Sequence, residues 1–448
     1  MMRPTFRLLG LFLLVLVSAG CSLLVAPVRP TVPPPPATAM PISFSSGQQF
    51  TNPVSDIQIA SDPDIVALMN AVSEQQLQSY VQTLQDFYSR NSFSETERED
   101  RGIGAARRWI FNEFNRVGVG RLAVAFEDFP LNYEGLSANQ RNVVATLPGV
   151  GSYPGVIVVG AHYDTRVGSA TDASSYAPAA DDNASGVALL LELARLLSSR
   201  PWNQTIIFVA FASEEQGTVG SRYFVTNSLF SGRQIDLAIS NDMVGGRPGI
   251  PQSARLFAPD IQYSGSGQAA RYARLLQTLY LPAFPLEFQN IIDREGRYGD
   301  HREFINVGIP AFRLIESQEN ADLLNSARDT WEKLDYNYLA QMVRVNLVAL
   351  ANWAGGPPPS PAPSVSKTAE PGAYIITWQT NPLAAGYALS FRPIAALTFP
   401  ELRYVNASEA GNVVLTGFDP ATPYAVSVAP IGPSGRLGGF SAEVNIVP

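Results

Sequence analysis

From Asp62 onward the apolar positions change rhythm several times, and each rhythm marks an element. Ile65, Leu68, Met69 and Val72 keep the spacing of one helix face. They follow Asp62-Pro63, an N-cap with proline at the first helical position. Leu77, Val81, Leu84 and Tyr88 mark a second helix. Ser94–Gly104 is polar and charged and reads as a loop. Ala105–Val117 carries Trp109, Ile110, Phe114 and Val117 and forms a third helix closed by Gly118.

The pattern then turns to short apolar runs. Leu122–Phe126 and Asn142–Leu147 read as strands, and Val156–Gly160 is a β-branched run that ends abruptly before His162. Gly186–Leu197 is a helix with Val187, Leu190, Leu191, Ala194 and Leu197 on one face. Thr205–Phe211 is uniformly apolar, as expected of a strand buried on both faces. Ile235–Ser240 and Ile309–Ile315 are further strands; Ala269–Leu279 and Leu339–Trp353 are helices. Strands alternating with helices predict an α/β layer fold with a mostly parallel sheet. The first two strands are close neighbours, so a mixed sheet is open.

Gly355–Pro363, G-G-P-P-P-S-P-A-P, is a linker. Beyond it come short alternating strands at Tyr374–Trp378, Tyr387–Arg392, Val413–Leu415 and Tyr424–Ala429. Trp378 and Pro420–Tyr424 have the look of a sandwich core tryptophan and a tyrosine corner. This segment resembles a fibronectin type III module, an all-β sandwich, and is expected to be a spacer or docking unit.

The N-terminus changes the picture differently. Arg3 and Arg7 precede the apolar stretch Leu8–Val17, which ends in Ser18-Ala19-Gly20-Cys21. That resembles a bacterial lipoprotein signal, with Cys21 lipidated and membrane-anchored in the cell envelope. Ser18 departs from the usual leucine, which leaves ordinary cleavage and secretion, or an uncleaved anchor, as alternatives. Leu23–Pro53 is rich in Pro, Ser and Thr and reads as a tether. The expected division is a signal over 1–20, a tether over 21–61, the α/β domain over 62–354, the linker over 355–363 and the sandwich over 364–448.

Composition excludes some partners. A net charge of -8 argues against nucleic acid, which calls for a basic stripe. Cys21 is the single cysteine, so stability must come from core burial and, where present, metal.

The chemistry lies just past the apolar runs. Val156–Gly160 leads to His162 and Asp164, Thr205–Phe211 to Glu214 and Glu215, and Ile235–Ser240 to Asp242. In open α/β sheets, ligands bind beyond the carboxyl ends of the strands. Ala180–Gly186, A-D-D-N-A-S-G, and Gly299–Phe304, G-D-H-R-E-F, add Asp182 and His301, the second of only two histidines. Singly each piece has an ordinary structural reading, such as capping by Asp and Asn. Together, two imidazoles and several carboxylates suit zinc, or less selectively manganese or cobalt.

These pieces occur in the order of the M28 zinc peptidases, and the chain resembles that family over roughly Leu77–Trp353. The resemblance implies a three-layer α/β zinc-peptidase fold with two zinc ions. It implies His162 and Asp242 on one metal, Glu215 and His301 on the other, and Asp182 bridging. Glu214 would be the general base, and Asp164 would orient His162 by accepting its other ring N–H. Asn325 stands where a related segment often carries a histidine, and is expected to alter only the pocket rim. The expected activity is an aminopeptidase acting on peptides. Carboxypeptidase or glutaminyl-cyclase-like chemistry is the alternative, and a non-catalytic envelope binding protein is a third.

Overall fold

The computed structural model describes residues 53 and 55–447. The signal segment, Cys21 and most of the tether lie outside the described residues. Asp62 caps the first helix α1 (Pro63–Asn70), accepting from the Asp64 amide, and Ser73 caps α2 (Glu74–Asp86) through the Gln76 amide. Helix α3 spans Gly102–Gly118.

A long hairpin follows, β1 (Ala123–Tyr133) and β2 (Leu136–Leu147), turning at Glu134-Gly135 with positive φ at both residues. Both strands extend well beyond the expected runs. Their added length is half-exposed at the sheet edge and carries mixed polar residues, so no apolar run announces it.

The core strands are β3 (Val156–His162), β4 (Thr205–Phe211), β5 (Ile235–Asn241) and, further along, β8 (Ala311–Glu316). Between them come α4 (Gly186–Leu197), α5 (Val219–Phe230), β6 (Ala254–Phe257), α6 (Gly265–Tyr280), β7 (Leu286–Gln289) and α7 (His301–Ile305). Helix α8 (Tyr336–Gly355) closes the layer. The sheet order is β1-β2-β4-β3-β5-β8-β6-β7. The central strands β4, β3, β5 and β8 run parallel, while β2 pairs antiparallel with β1 and β4, and β6 pairs antiparallel with β8 and parallel with β7. The sheet is therefore mixed but mostly parallel.

Alternation along β3 divides the core into two layers. Ile157, Val159 and Ala161 face the cluster with α2, α4 and α8. Val156 and Val158 face a smaller cluster with Phe224 of α5 and Phe304 of α7. Every residue of β3 is buried, which explains its unbroken apolar run.

Beyond Gly355, seven short strands form two antiparallel sheets. One is β13 (Asn412–Leu415), β10 (Tyr374–Thr377) and β9 (Ser364–Lys367). The other is β12 (Arg403–Asn406), β11 (Gly386–Pro393), β14 (Tyr424–Ile431) and β15 (Val444–Ile446). Trp378 and Tyr424 lie in the core between them, and the Tyr424 hydroxyl accepts from the Asp419 amide at 3.3 Å.

These sheets share a core with the α/β layers. Ala429, Ile431, Leu437 and Phe440 belong to the same apolar cluster as Tyr272 and Trp353. Tyr272 donates to the Leu437 carbonyl at 2.7 Å, and Arg271 pairs with Glu443 at 2.9 Å. The join lies at the amino ends of the strands, where Gln234–Asp236 and Pro310 share a cavity with Pro359–Pro361 and Phe440–Ala442.

Candidate active site

The carboxyl ends of β3, β4 and β5 bring the site together, because adjacent parallel strands end at the same edge. His162 is the last residue of β3, and Asp242 directly follows β5. His162 Nε2 faces Asp182 Oδ1 at 3.2 Å and Asp242 Oδ1 at 3.4 Å. The ligand atoms of these three residues all lie within 4.8 Å of one another, and among the described residues no other such group of three occurs.

Asp182 reaches this point on a tight turn, Ala180–Ser185, that leads into α4. The turn is tied from outside. The Asp329 carboxylate accepts from the amides of Asp181 and Asp182 at 3.0–3.1 Å. Asn183 donates to the Asn241 carbonyl at 2.9 Å, and Asp181 accepts from the Gly245 amide at 2.8 Å. Asn241 in turn exchanges two hydrogen bonds with Asn346 of α8, at 2.8 and 3.1 Å.

Backbone strain concentrates here. Ala179, Ser213, Met243 and Asn325 all adopt left-handed φ between 43° and 61°. Such residues cost on the order of 1–3 kcal/mol each and persist where surrounding contacts over-determine them.

Asp164 does more than the sequence suggested. His162 Nδ1 lies 3.1 Å from the backbone carbonyl of Asp164, but 3.7 Å from its carboxylate. The carbonyl is thus the acceptor that orients the ring, and donation to it leaves the Nε2 lone pair facing Asp182 and Asp242. The carboxylate instead accepts from the amides of Glu214 and Glu215 at 3.0 and 3.1 Å. It fixes the backbone that aims those two side chains.

Burial opposes charge on His162, but Glu214, Asp164, Asp182 and Asp242 outweigh it and hold the imidazole well above its usual pKa. An imidazole ringed by carboxylates attracts a cation, either a proton or a metal. The donor set, one imidazole nitrogen and two carboxylates, fits zinc with a further position left for water or substrate. Burial pushes Glu214 well above the usual carboxylate range, with Glu215, Asp242 and Asp300 adding to it.

Two arginines that sequence reasoning missed complete the site. Arg313 is buried in β8 and spans Asp242 at 2.9 Å and Asp293 at 2.7 Å. Burial raises the Asp242 carboxyl, yet Arg313 and His162 together hold it far below its ordinary value. Arg166 pairs with Glu215, Nε to Oε2, at 2.5 Å. With its amide turned to satisfy both partners, Asn325 donates to Glu215 Oε1 at 3.1 Å and accepts from Arg166 at 2.9 Å.

His301 does not join Glu215. Its Nε2 lies 2.6 Å from the Ile292 carbonyl and 3.9 Å from Asp293. The ring is fully buried, and that burial lowers its pKa to about 4. The structure does not bring His301 into the group around His162: α7 starts at His301, and the loop before it supplies the carbonyl that takes its Nε2, while the buried Nδ1 has no hydrogen-bond partner. Asn325 in turn contacts the proposed ligand Glu215 instead of merely altering the rim.

Glu214, Glu215, Asp182 and Asp242 line one cavity of about 350 Å³. Tyr133, Met243, Tyr298 and the arginines 166, 294, 297, 302 and 313 complete its walls.

A mostly parallel α/β sheet with such a trio at its carboxyl edge has the donors to hold a metal ion. The family model of Peptidase family M28 matches residues 142–350. A probable zinc metalloprotease of Pyricularia oryzae is 29% identical over 82% of this chain and 82% of its own length. Another, of Pyrenophora teres f. teres, is 30% identical over 66% of this chain and 70% of its own. The chain belongs to peptidase family M28 and is a zinc metalloprotease. Among solved structures, the LapA aminopeptidase of Legionella pneumophila covers 67% of this chain and 77% of its own, at 19% identity and a TM-score of 0.54. A glutaminyl cyclase of Porphyromonas gingivalis covers 62% and 98%, at 23% identity and a TM-score of 0.50. Both share the fold.

Proposed function

We propose that the protein is an exopeptidase, specifically an aminopeptidase, with its metal held by His162, Asp182 and Asp242. The observation that carries this is the convergence of those donors beside Glu214 in one small, carboxylate-rich cavity. A bound metal supplies Lewis acidity that makes water a nucleophile near neutral pH. Glu214 takes the proton of the attacking water on its carboxylate and delivers it to the departing amine. Asp164 keeps Glu214 in place through the backbone, and Arg313 keeps Asp242 ionised toward His162. The four carboxylates of the lining favour a free substrate α-ammonium. The five arginines of the same cavity favour a second reading, capture of a substrate carboxylate by a carboxypeptidase.

Comparing N-free with N-blocked peptides decides between these. Turnover confined to N-free peptides supports the aminopeptidase; turnover of N-blocked peptides with a free C-terminus supports the carboxypeptidase. Cyclisation of N-terminal glutamine would point to the glutaminyl-cyclase alternative.

We also read Cys21 as the lipidated residue of a cell-envelope protein, and the C-terminal sheets as a fibronectin type III-like module. The order of basic, apolar and small residues before Cys21 supports the first reading. The seven antiparallel strands and the Tyr424 bond support the second. Cys21→Ala should move the protein from the membrane to the soluble fraction.

A further inference from the structure

We infer that this chain holds one catalytic metal, and that Arg166 stands as a fixed organic cation where the resemblance to the zinc peptidases calls for a second. The inference rests on the metallopeptidase reading above. The second metal was expected on Glu215, His301 and a bridging Asp182. The residues present do not fit it.

Both oxygens of Glu215 already accept hydrogen bonds, Oε2 from Arg166 at 2.5 Å and Oε1 from Asn325 at 3.1 Å. Asn325 accepts in turn from Arg166 at 2.9 Å, so the three side chains close a ring. The third guanidinium nitrogen donates to the Gly168 carbonyl at 3.0 Å, and the Gly168 amide donates back to the Asn325 carbonyl at 3.3 Å. Every nitrogen of the guanidinium is committed, and the two loops that carry it are pinned to each other. Asn325 sits at φ 49°, a left-handed conformation that asparagine tolerates.

The imidazole expected on this metal has its Nε2 against the Ile292 carbonyl and is not part of a converging group of three ligand atoms among the described residues. An asparagine oxygen is a poor substitute for it as a zinc ligand. A guanidinium is protonated at every working pH, so it does not step aside by titration. A dication on Glu215 would have to break that pair and would then face the arginine's charge at short range. The His162 trio keeps donor atoms free: its imidazole nitrogen faces its carboxylates, and although Arg313 also pairs with Asp242, it takes one oxygen and leaves the other to the trio.

The test is metal stoichiometry, which needs no turnover. Full-length protein is saturated with zinc, dialysed and counted by elemental analysis, and separately titrated with Mn2+ and followed by electron paramagnetic resonance. We expect one zinc per chain and a mononuclear six-line manganese spectrum. Two zinc ions per chain with a spin-coupled manganese pair would overturn the inference. The Arg166→Ala, Asn325→His double variant should take up a second ion; a count that stays at one would remove Arg166 as the cause of exclusion. A wild-type chain that binds no zinc would instead overturn the metallopeptidase reading beneath it.

Discussion

The two ends of the cavity start from the same architecture and diverge. The His162 end and the Glu215 end each lie just past a buried parallel strand, and both point carboxylates at Asp182's side of the opening. At the first end the imidazole faces Asp182 and Asp242, and Arg313 holds the other oxygen of Asp242 without covering the one that faces the ring. At the second end an arginine has come in from the front and taken the carboxylate. Position along a strand thus decides which residues can meet. The cation that arrives from another loop decides what the meeting can bind.

The largest expected effect tests the first end. Chelator treatment, or His162→Ala, should abolish peptidase activity, with zinc restoring the chelated wild type and not the variant. Activity that survives chelation would break the comparison at its root. Next, Glu214→Gln should leave zinc content unchanged while lowering kcat by about 10²–10⁴-fold, the usual worth of a general base. A variant at full rate would move the base elsewhere.

The arginines separate the ends by stability. Arg313→Leu strands Asp242 and Asp293 in the interior, and breaking a buried pair costs on the order of 3–5 kcal/mol. Chemical denaturation of the zinc-free protein measures this. Acid should show the same pair. Burial alone would raise Asp293, but Arg313 and His301 hold it below the ordinary carboxylate range. Its stabilising contribution is complete above the unfolded pKa, about 4, and is lost as pH falls through the lower folded value. Arg313→Leu should therefore flatten the acid limb of a stability–pH curve. Arg166→Ala should cost less than Arg313→Leu, because its side chain is one-third exposed and water can reach the space it leaves beside the buried Glu215. Equal losses for the two arginines would erase the distinction between the ends.

Much of this site could be read from the sequence because the strands are so apolar. Val156–Gly160 and Thr205–Phe211 have nothing polar to place until they end, so His162, Asp164, Glu214 and Glu215 stand out. The direction in which a side chain leaves a loop is a different matter. His301 sits in a recognisable motif, yet its ring is turned by the Ile292 carbonyl, from a stretch with no periodic signal. Arg166 has no signal of its own; Asn325, which joins it and Glu215 in one ring, was its only trace. Arg313 was within reach. A lone arginine inside the apolar run Ala311–Ile315 must have carboxylate partners, and those were the residues already under suspicion. The hairpin was shortened for the opposite reason, since half-exposed edge strands alternate too weakly to be seen.

The apolar cluster that Tyr272 and Trp353 share with Ile431, Leu437 and Phe440 has a consequence for how this gene can change. Modules joined as beads can be shuffled, truncated or lost with the rest intact. Here a chain broken after Gly355 would forfeit one wall of the interior that supports the strands, at the edge opposite the catalytic opening. Removing the C-terminal sheets should therefore lower the stability of the α/β layers as well.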